Sequence, residues 1–283
     1  MIDCINRVYN CDVMDIICDI PDRVFDLLIL DFPYNLQKDF ENDNLTPSDF
    51  RQLLRLWIKS IIPKLKDTGS LYCFMGYDYY DYLKLLLSKY LIFRREIIWT
   101  YQHLSNPNLN NNYLPQFDKI LYFVKSENFT FNNIRTKPLK WMSERFGKHA
   151  DKDGRVPFDK LPLSYRKKYV NEENYAKKKG YNINRGKLIG NVLYVPKVHP
   201  QSNEKSSHPT QKPESLIETF IKISSNENDL VSDLFAGSGT TLAVAKRLRR
   251  NYFGTEVKKE YYEMITKRLG KTHQIQNIMD FMQ

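Results

Sequence analysis

Apolar residues along this chain gather in two alternating kinds of run: short unbroken stretches, and longer stretches with a single apolar face. The first kind suits strands buried on both sides, the second amphipathic helices. The run Phe25-Asp26-Leu27-Leu28-Ile29-Leu30 predicts a strand over 22–31. Phe50, Leu53, Leu54, Trp57, Ile58, Ile61 and Ile62 predict a helix over 47–62, and a strand over 70–75 completes a β-α-β unit. A helix over 77–90 follows, then strands over 91–100 and 119–125 that bracket an Asn-rich connection at 105–112, read as a mobile loop. Regular patterning resumes with a helix over 213–224, where Pro213 stands at the first helical position. A strand over 229–235, a glycine turn, a helix over 240–250, a strand over 252–257 and a helix over 259–269 make a second β-α-β unit. The class is α/β, and 271–283 reads as a short helix or a frayed tail.

Between 131 and 205 this periodicity fails, and lysine clusters alternate with Tyr, Pro and Asn. The chain of 283 residues carries 43 Lys and Arg against 33 Asp and Glu, a surplus of +10. Within 132–212 the count is 19 against 7, so this stretch holds +12 and the rest of the chain −2. A regional surplus of that kind suggests a polyanionic partner. The composition, 42% hydrophobic and 27% charged, excludes a disordered, collagen-like or disulfide-framework chain. No apolar run approaches the roughly 20 residues that span a bilayer. Cys4, Cys11, Cys18 and Cys73 form no C-x-x-C pair and no signal-like stretch follows the start, so a reduced, intracellular chain without zinc is expected. The cysteines read as buried small hydrophobes, and His103, His149, His199 and His273 as surface residues without metal-ligand spacing.

Two constellations carry candidate chemistry. Ser232-Asp233-Leu234-Phe235-Ala236-Gly237-Ser238-Gly239-Thr240-Thr241 puts two of only 11 glycines at a strand-to-helix junction, where bare backbone can approach a ligand. Glu256 follows Gly237 by 19 residues, the spacing at which an acid reaches ribose hydroxyls in nucleotide-binding units. Leu242 stands where a dinucleotide fingerprint needs its third glycine, which leaves a nicotinamide oxidoreductase as a minor alternative. Asp31-Phe32-Pro33-Tyr34 ends a predicted strand and offers a carboxylate, a stiff turn and a stacking face, a cradle for a planar base with an amino group. Each pattern is short: G-x-G also makes a plain tight turn, and Asp31 to Tyr34 a strand end with Tyr34 in the core.

Together the pieces resemble the β class of S-adenosylmethionine-dependent DNA amino-methyltransferases. Asp31-Phe32-Pro33-Tyr34 resembles that family's D-P-P-Y catalytic motif, followed by Asn35-Leu36-Gln37, with Asn common in adenine-N6 members. Phe235-Ala236-Gly237-Ser238-Gly239-Thr240 is similar to its F-x-G-x-G cofactor motif, and His208-Pro209-Thr210-Gln211-Lys212-Pro213 to the segment before it. Asn10-Cys11-Asp12-Val13 resembles its short cofactor-contacting segment, and 117–125 the strand before its recognition region. Catalytic motif first and cofactor motif last is the β-class order.

The resemblance implies a Rossmann-like methyltransferase fold with a mostly parallel, seven-stranded sheet, permuted in that order. It divides the chain into a catalytic half (1–130), a basic target-recognition region (131–205) and a cofactor-binding half (206–283). The implied activity is methyl transfer from S-adenosylmethionine to the N6 amino group of a flipped-out adenine in double-stranded DNA. Asp31 and the Phe32 carbonyl would hold the amino group, with Pro33 shaping the turn and Tyr34 stacking on the base. For the cofactor, Asp12 would meet the adenine, Glu256 the ribose and the Phe235–Thr241 turn the methionine part, while Thr210 and Lys212 close over its carboxylate; Val13, His208 and Asp233 are further cofactor-binding candidates. Arg166, Lys167, Lys168, Lys177, Lys178 and Lys179 are the expected phosphate contacts. None of the cysteines follows a proline, as the nucleophile of 5-methylcytosine enzymes does. Cytosine-N4 methylation is the nearest rival, although Ser is more frequent there than Asp at the first motif position. Phe32 departs from the family's proline: it adds an N–H and frees φ, which predicts a less preorganised loop, and a catalytically silent DNA-binding subunit is the alternative. The reading is compatible with a homodimer and a cognate restriction endonuclease, and implies a prokaryotic cytoplasmic, nucleoid-associated protein outside the membrane.

Overall fold

The computed structural model describes residues 2–35, 44–101, 115–136, 144, 147–153, 155–157, 160, 181–182, 186 and 188–272. They form two compact units, one of 1–132 with 191–283 and one of 133–190.

The larger unit is built on an eight-stranded sheet. Its strands are β1 (Arg7–Tyr9), β2 (Phe25–Asp31), β3 (Leu65–Phe74), β4 (Ile92–Thr100), β5 (Phe117–Val124), β8 (Val192–Tyr194), β9 (Leu230–Asp233) and β10 (Asn251–Thr255), where β6 (Arg155–Val156) and β7 (Tyr181–Asn182) belong to the smaller unit. The order is β1-β10-β9-β2-β3-β5-β4-β8, parallel except where β5 runs antiparallel to β3 and β4. The sheet is thus mostly parallel, as expected, but has eight strands rather than seven. β1 and β8 are three-residue edge strands whose apolar content is too short to announce them, and they form because β10 and β4 offer open edges.

Three helices of the N-terminal half, α1 (Val13–Ile16), α2 (Pro47–Ile61) and α3 (Tyr77–Leu87), precede three of the C-terminal half, α4 (Glu214–Ser224), α5 (Thr240–Arg247) and α6 (Lys259–Lys271). In α2 the Thr46 hydroxyl caps the first turn by accepting from Asp49 N, and Phe50, Leu54, Trp57, Ile58 and Ile61 form its buried face. Burying each such side chain stabilises the fold by roughly 1.5–3 kcal/mol. Pro213 proves to be the N-cap of α4 rather than its first residue. The two chain halves meet where β2 lies parallel to β9, with Leu27 opposite Val231 and Leu28 opposite Ser232. Consequently Asp31 and Asp233 end neighbouring strands, and ligands bind at such carboxyl ends in open parallel sheets.

In the smaller unit β6 pairs antiparallel with β7, Val156 is buried, and Arg135 bridges Leu188. This unit is narrower than the 131–205 region expected from patterning, because β8 joins the main sheet. Arg166, Lys167, Lys168, Lys177, Lys178 and Lys179 lie outside the described residues, as do Leu36, Gln37, the 105–112 connection, His103 and His273. Cys4 and Cys73 are buried, but Cys11 is half-buried and Cys18 exposed, so core packing accounts for only two of the four. His149 and His199 are exposed. No helix among the described residues is long and apolar enough to cross a membrane, and no cluster of three or more His, Cys, Asp or Glu among them could hold a metal ion.

Candidate active site

The carboxyl ends of β2, β3, β9 and β10 open into one cavity of about 450 Å³ in the larger unit. Asp31, Phe32, Pro33 and Tyr34 line it, together with Asp12, Val13, His208, Thr210, Lys212, Asp233, Glu256 and the turn residues Phe235, Ala236, Gly237, Ser238, Thr240 and Thr241. The sequence motifs, scattered over 245 positions, therefore converge.

Both Asp31 oxygens are engaged. Oδ1 accepts from the Tyr34 hydroxyl at 2.8 Å, and Oδ2 accepts from the Lys212 ammonium, whose side chain is only 12% exposed. Burial pushes the Tyr34 hydroxyl well above its usual range, and the Asp31 charge adds to this, so Tyr34 acts as a donor. Phe32, expected to loosen the loop, instead buries its ring completely. The ring stacks on Trp57 at 5.9 Å and meets Phe235 of the glycine turn at 5.0 Å. Packing thus supplies the rigidity that a proline would have provided.

At the glycine turn, Ala236 N donates to Thr255 O and Gly237 N to Glu256 Oε2, at 3.0 and 2.8 Å. Gly237 has φ +49°, and a Cβ there would lie 2.9 Å from His208 Nε2. That position demands glycine on both counts. Gly239 plays a different part: it does not line the cavity, and with φ +70° it lies where a Cβ would collide with Ile265 at 2.8 Å. Its small size serves the packing of α6 on α5. Asn10 ties the N-terminal segment to the end of β10 by donating to Glu256 O and Val257 O, while Asp12 caps α1 by accepting from Met14 N. Glu256 Oε1 also accepts from Lys258 N, so backbone N–H groups hold both carboxylate oxygens in place at the cavity wall.

Burial dominates the electrostatics. It raises the Asp233 carboxyl to about 7 against hydrogen bonds from Thr241 and Phe235 N, and raises Glu256 as well. It also lowers His208 to about 4, so this imidazole is neutral at physiological pH and accepts from Thr210 N through Nδ1 at 3.3 Å. Residues that no motif announced complete the walls, namely Trp57, Phe74, Trp99, Lys197 and Tyr261, together with Asp118 from the 117–125 segment. Behind the turn, Arg268 donates to Ser238 O and Thr240 Oγ1 at 3.0 Å each and to Glu214 Oε1 at 2.5 Å. These contacts join residues from separate elements, so spacing holds no trace of them.

Comparison with known proteins agrees with this geometry. The DNA methylase family matches residues 25–267. The chain is 34% identical over 256 residues to the Type II methyltransferase M.HpaI of Haemophilus parainfluenzae, covering 89% of this chain and 70% of that one. It is 31% identical over 255 residues to the DNA adenine methyltransferase YhdJ of Escherichia coli, covering 88% and 78%. Among solved structures it superposes on the M1.HpyAVI–SAM complex with a TM-score of 0.62 at 25% identity, covering 93% of this chain and 98% of that one. With its Asp31-to-Tyr34 tetrapeptide and glycine turn brought together at adjoining strand ends, the chain belongs to the DNA methylase family of N6- and N4-amino methyltransferases.

Proposed function

We propose that this chain transfers a methyl group from S-adenosylmethionine to the N6 amino group of an adenine rotated out of duplex DNA. The observation that carries the reading is the shared cavity: Asp31 and Tyr34 line the same 450 Å³ as Gly237 and Glu256. Three features fit the cofactor: the bare backbone at Gly237, the acceptors Asp12 and Glu256 for amino and hydroxyl groups, and carboxylates that favour a positive sulfonium. When bound, the cofactor supplies a methyl group on cationic sulfur. The rest falls to the protein. Asp31 and the Phe32 carbonyl accept hydrogen bonds from the adenine amino group, which turns its lone pair out of ring conjugation, while the Tyr34 ring stacks on the base. Catalysis is then positioning with electrostatic help, and no covalent enzyme intermediate is needed.

Adenine is favoured over cytosine by Asp31 at the first motif position and by the relative named as a DNA adenine methyltransferase. We assign DNA contact to the basic 131–205 region, with Arg166 to Lys168 and Lys177 to Lys179 on phosphates. Type II relatives point to a cognate restriction endonuclease as a partner, and the DNA substrate to a nucleoid location.

Labelled S-adenosylmethionine, unmethylated DNA and nucleoside separation test the reading, with N6-methyldeoxyadenosine as the expected product. N4-methyldeoxycytidine would reassign the base, and DNA binding without product would leave a silent subunit. Asp31→Ala should abolish transfer and keep cofactor affinity within a few fold; retained turnover would remove Asp31 from its role.

A further inference from the structure

The cradle at Asp31 is not open. The Lys212 ammonium donates to Oδ2, and its Nζ lies 4.8 Å from the centroid of the Phe74 ring and 5.7 Å from that of Tyr34. A nitrogen donor, hydrogen-bonded to Asp31 and bordered by aromatic faces, is the chemical description of the amino group this cradle is built to hold. The base of the side chain is anchored on the other half of the site: Lys212 O accepts from Thr240 Oγ1 at 3.3 Å, and the next residue caps α4. Only the tip of Lys212 reaches into the catalytic half.

We propose that Lys212 is a placeholder for the target amino group, pairing with Asp31 in the DNA-free enzyme and displaced when the flipped base enters. This rests on the reading of Asp31 as the holder of the amino group. The pairing gives a counter-charge to a carboxylate whose cavity also holds Asp118, Asp233 and Glu256. It also sets a threshold for entry: a base must stack on Tyr34 and donate to Asp31 well enough to replace an ammonium already in place. Lys212 is therefore a positioning residue that acts through Asp31.

Two variants move in opposite directions. Lys212→Met keeps the length and removes the charge, so the KM for unmethylated genomic DNA should fall about fivefold, the scale of one partly exposed ion pair. Lys212→Arg should raise that KM, because a guanidinium pairs with a carboxylate through two parallel bonds and yields less readily. Calorimetric titration of the DNA-free variants with S-adenosylmethionine should give affinities within about twofold of the parent. Equal KM values in both variants, or weakened cofactor binding in Lys212→Met with a normal KM, would overturn the placeholder in favour of a cofactor clamp. If Lys212→Met does not fold, Lys212→Arg alone decides, since an unchanged or lowered KM there contradicts displacement. Retained turnover in Asp31→Ala would instead fail the underlying reading, whereas an inactive Asp31→Ala with an unmoved Lys212→Met KM fails the placeholder alone.

Discussion

The two compact units differ first in charge. Residues 133–190 hold 16 Lys and Arg against 6 Asp and Glu, while the larger unit holds 27 of each, so the whole +10 surplus sits on the smaller one. They differ also in construction. The larger unit has strands of up to ten residues and helices of up to fifteen, with Phe25, Phe50, Trp57 and Phe253 buried between them. In the smaller, the strands described are two residues long. Burial holds the first together, and the charged residues described in the second are exposed. The lysines that widen the basic stretch to 132–212, namely Lys197, Lys205 and Lys212, belong to the larger unit and line its cavity. A lysine-rich stretch in sequence thus divides between two units, and only part of it is available for the DNA contact proposed for the smaller one.

If this division is right, changes in the larger unit alter folding, cofactor binding or chemistry, and changes in the smaller alter DNA affinity alone. The largest effect expected is on stability. Phe32→Ala opens a void between Trp57 and Phe235 and should cost about 3–5 kcal/mol in urea unfolding, against well under 1 kcal/mol for an exposed position. A small loss would show that the two motifs are not locked by that ring. Gly237→Ala forces a side chain into positive φ and onto His208, and should weaken cofactor binding by about tenfold or more with most of the stability kept. Normal affinity in a calorimetric titration would detach the turn from the ligand. Lys177→Gln with Lys178→Gln and Lys179→Gln should reduce DNA affinity similarly on all sequences and flatten the log–log salt slope by up to about 2.7. Cofactor binding should not respond; if it does, the two units are not functionally separate.

The smallest effect is a pH dependence. Asp233 is raised from 3.8 to about 7 in the folded chain, so between these values the folded state keeps a proton that the unfolded state has lost. Its contribution to stability therefore declines as pH rises through about 7. Asp233→Asn removes that decline, so the melting temperature of the variant relative to the parent should rise on going from pH 5 to pH 8. His208, lowered to about 4, acts in the opposite sense and costs stability as pH falls from its unfolded value toward about 4. The same difference between Asp233→Asn and the parent at both pH values would place the buried proton elsewhere.

Long periodic elements were legible because burial imposes period and length on the residues themselves. The helix expected over 47–62 spans Pro47–Ile61, and the strand expected over 252–257 spans Asn251–Thr255. Arg7–Tyr9 and Val192–Tyr194 were not, since three residues on a sheet edge carry no period. Gly237 and Gly239 looked equivalent in the G-x-G pattern, yet one borders the ligand cavity and the other Ile265, a distinction that requires the path of α6.

The amino-acid order by itself determined the α/β class, the arrangement of catalytic tetrapeptide before glycine turn, and the regional place of the charge, because apolar spacing, short motifs and charge counts are local properties. Only the tertiary structure decided that Phe32 stiffens its loop by stacking, that Arg268 braces the turn, and that Lys212 reaches across 181 positions to Asp31. Those contacts depend on which strand ends lie side by side, and the pairing of β2 with β9 is a property of the closed sheet rather than of either segment.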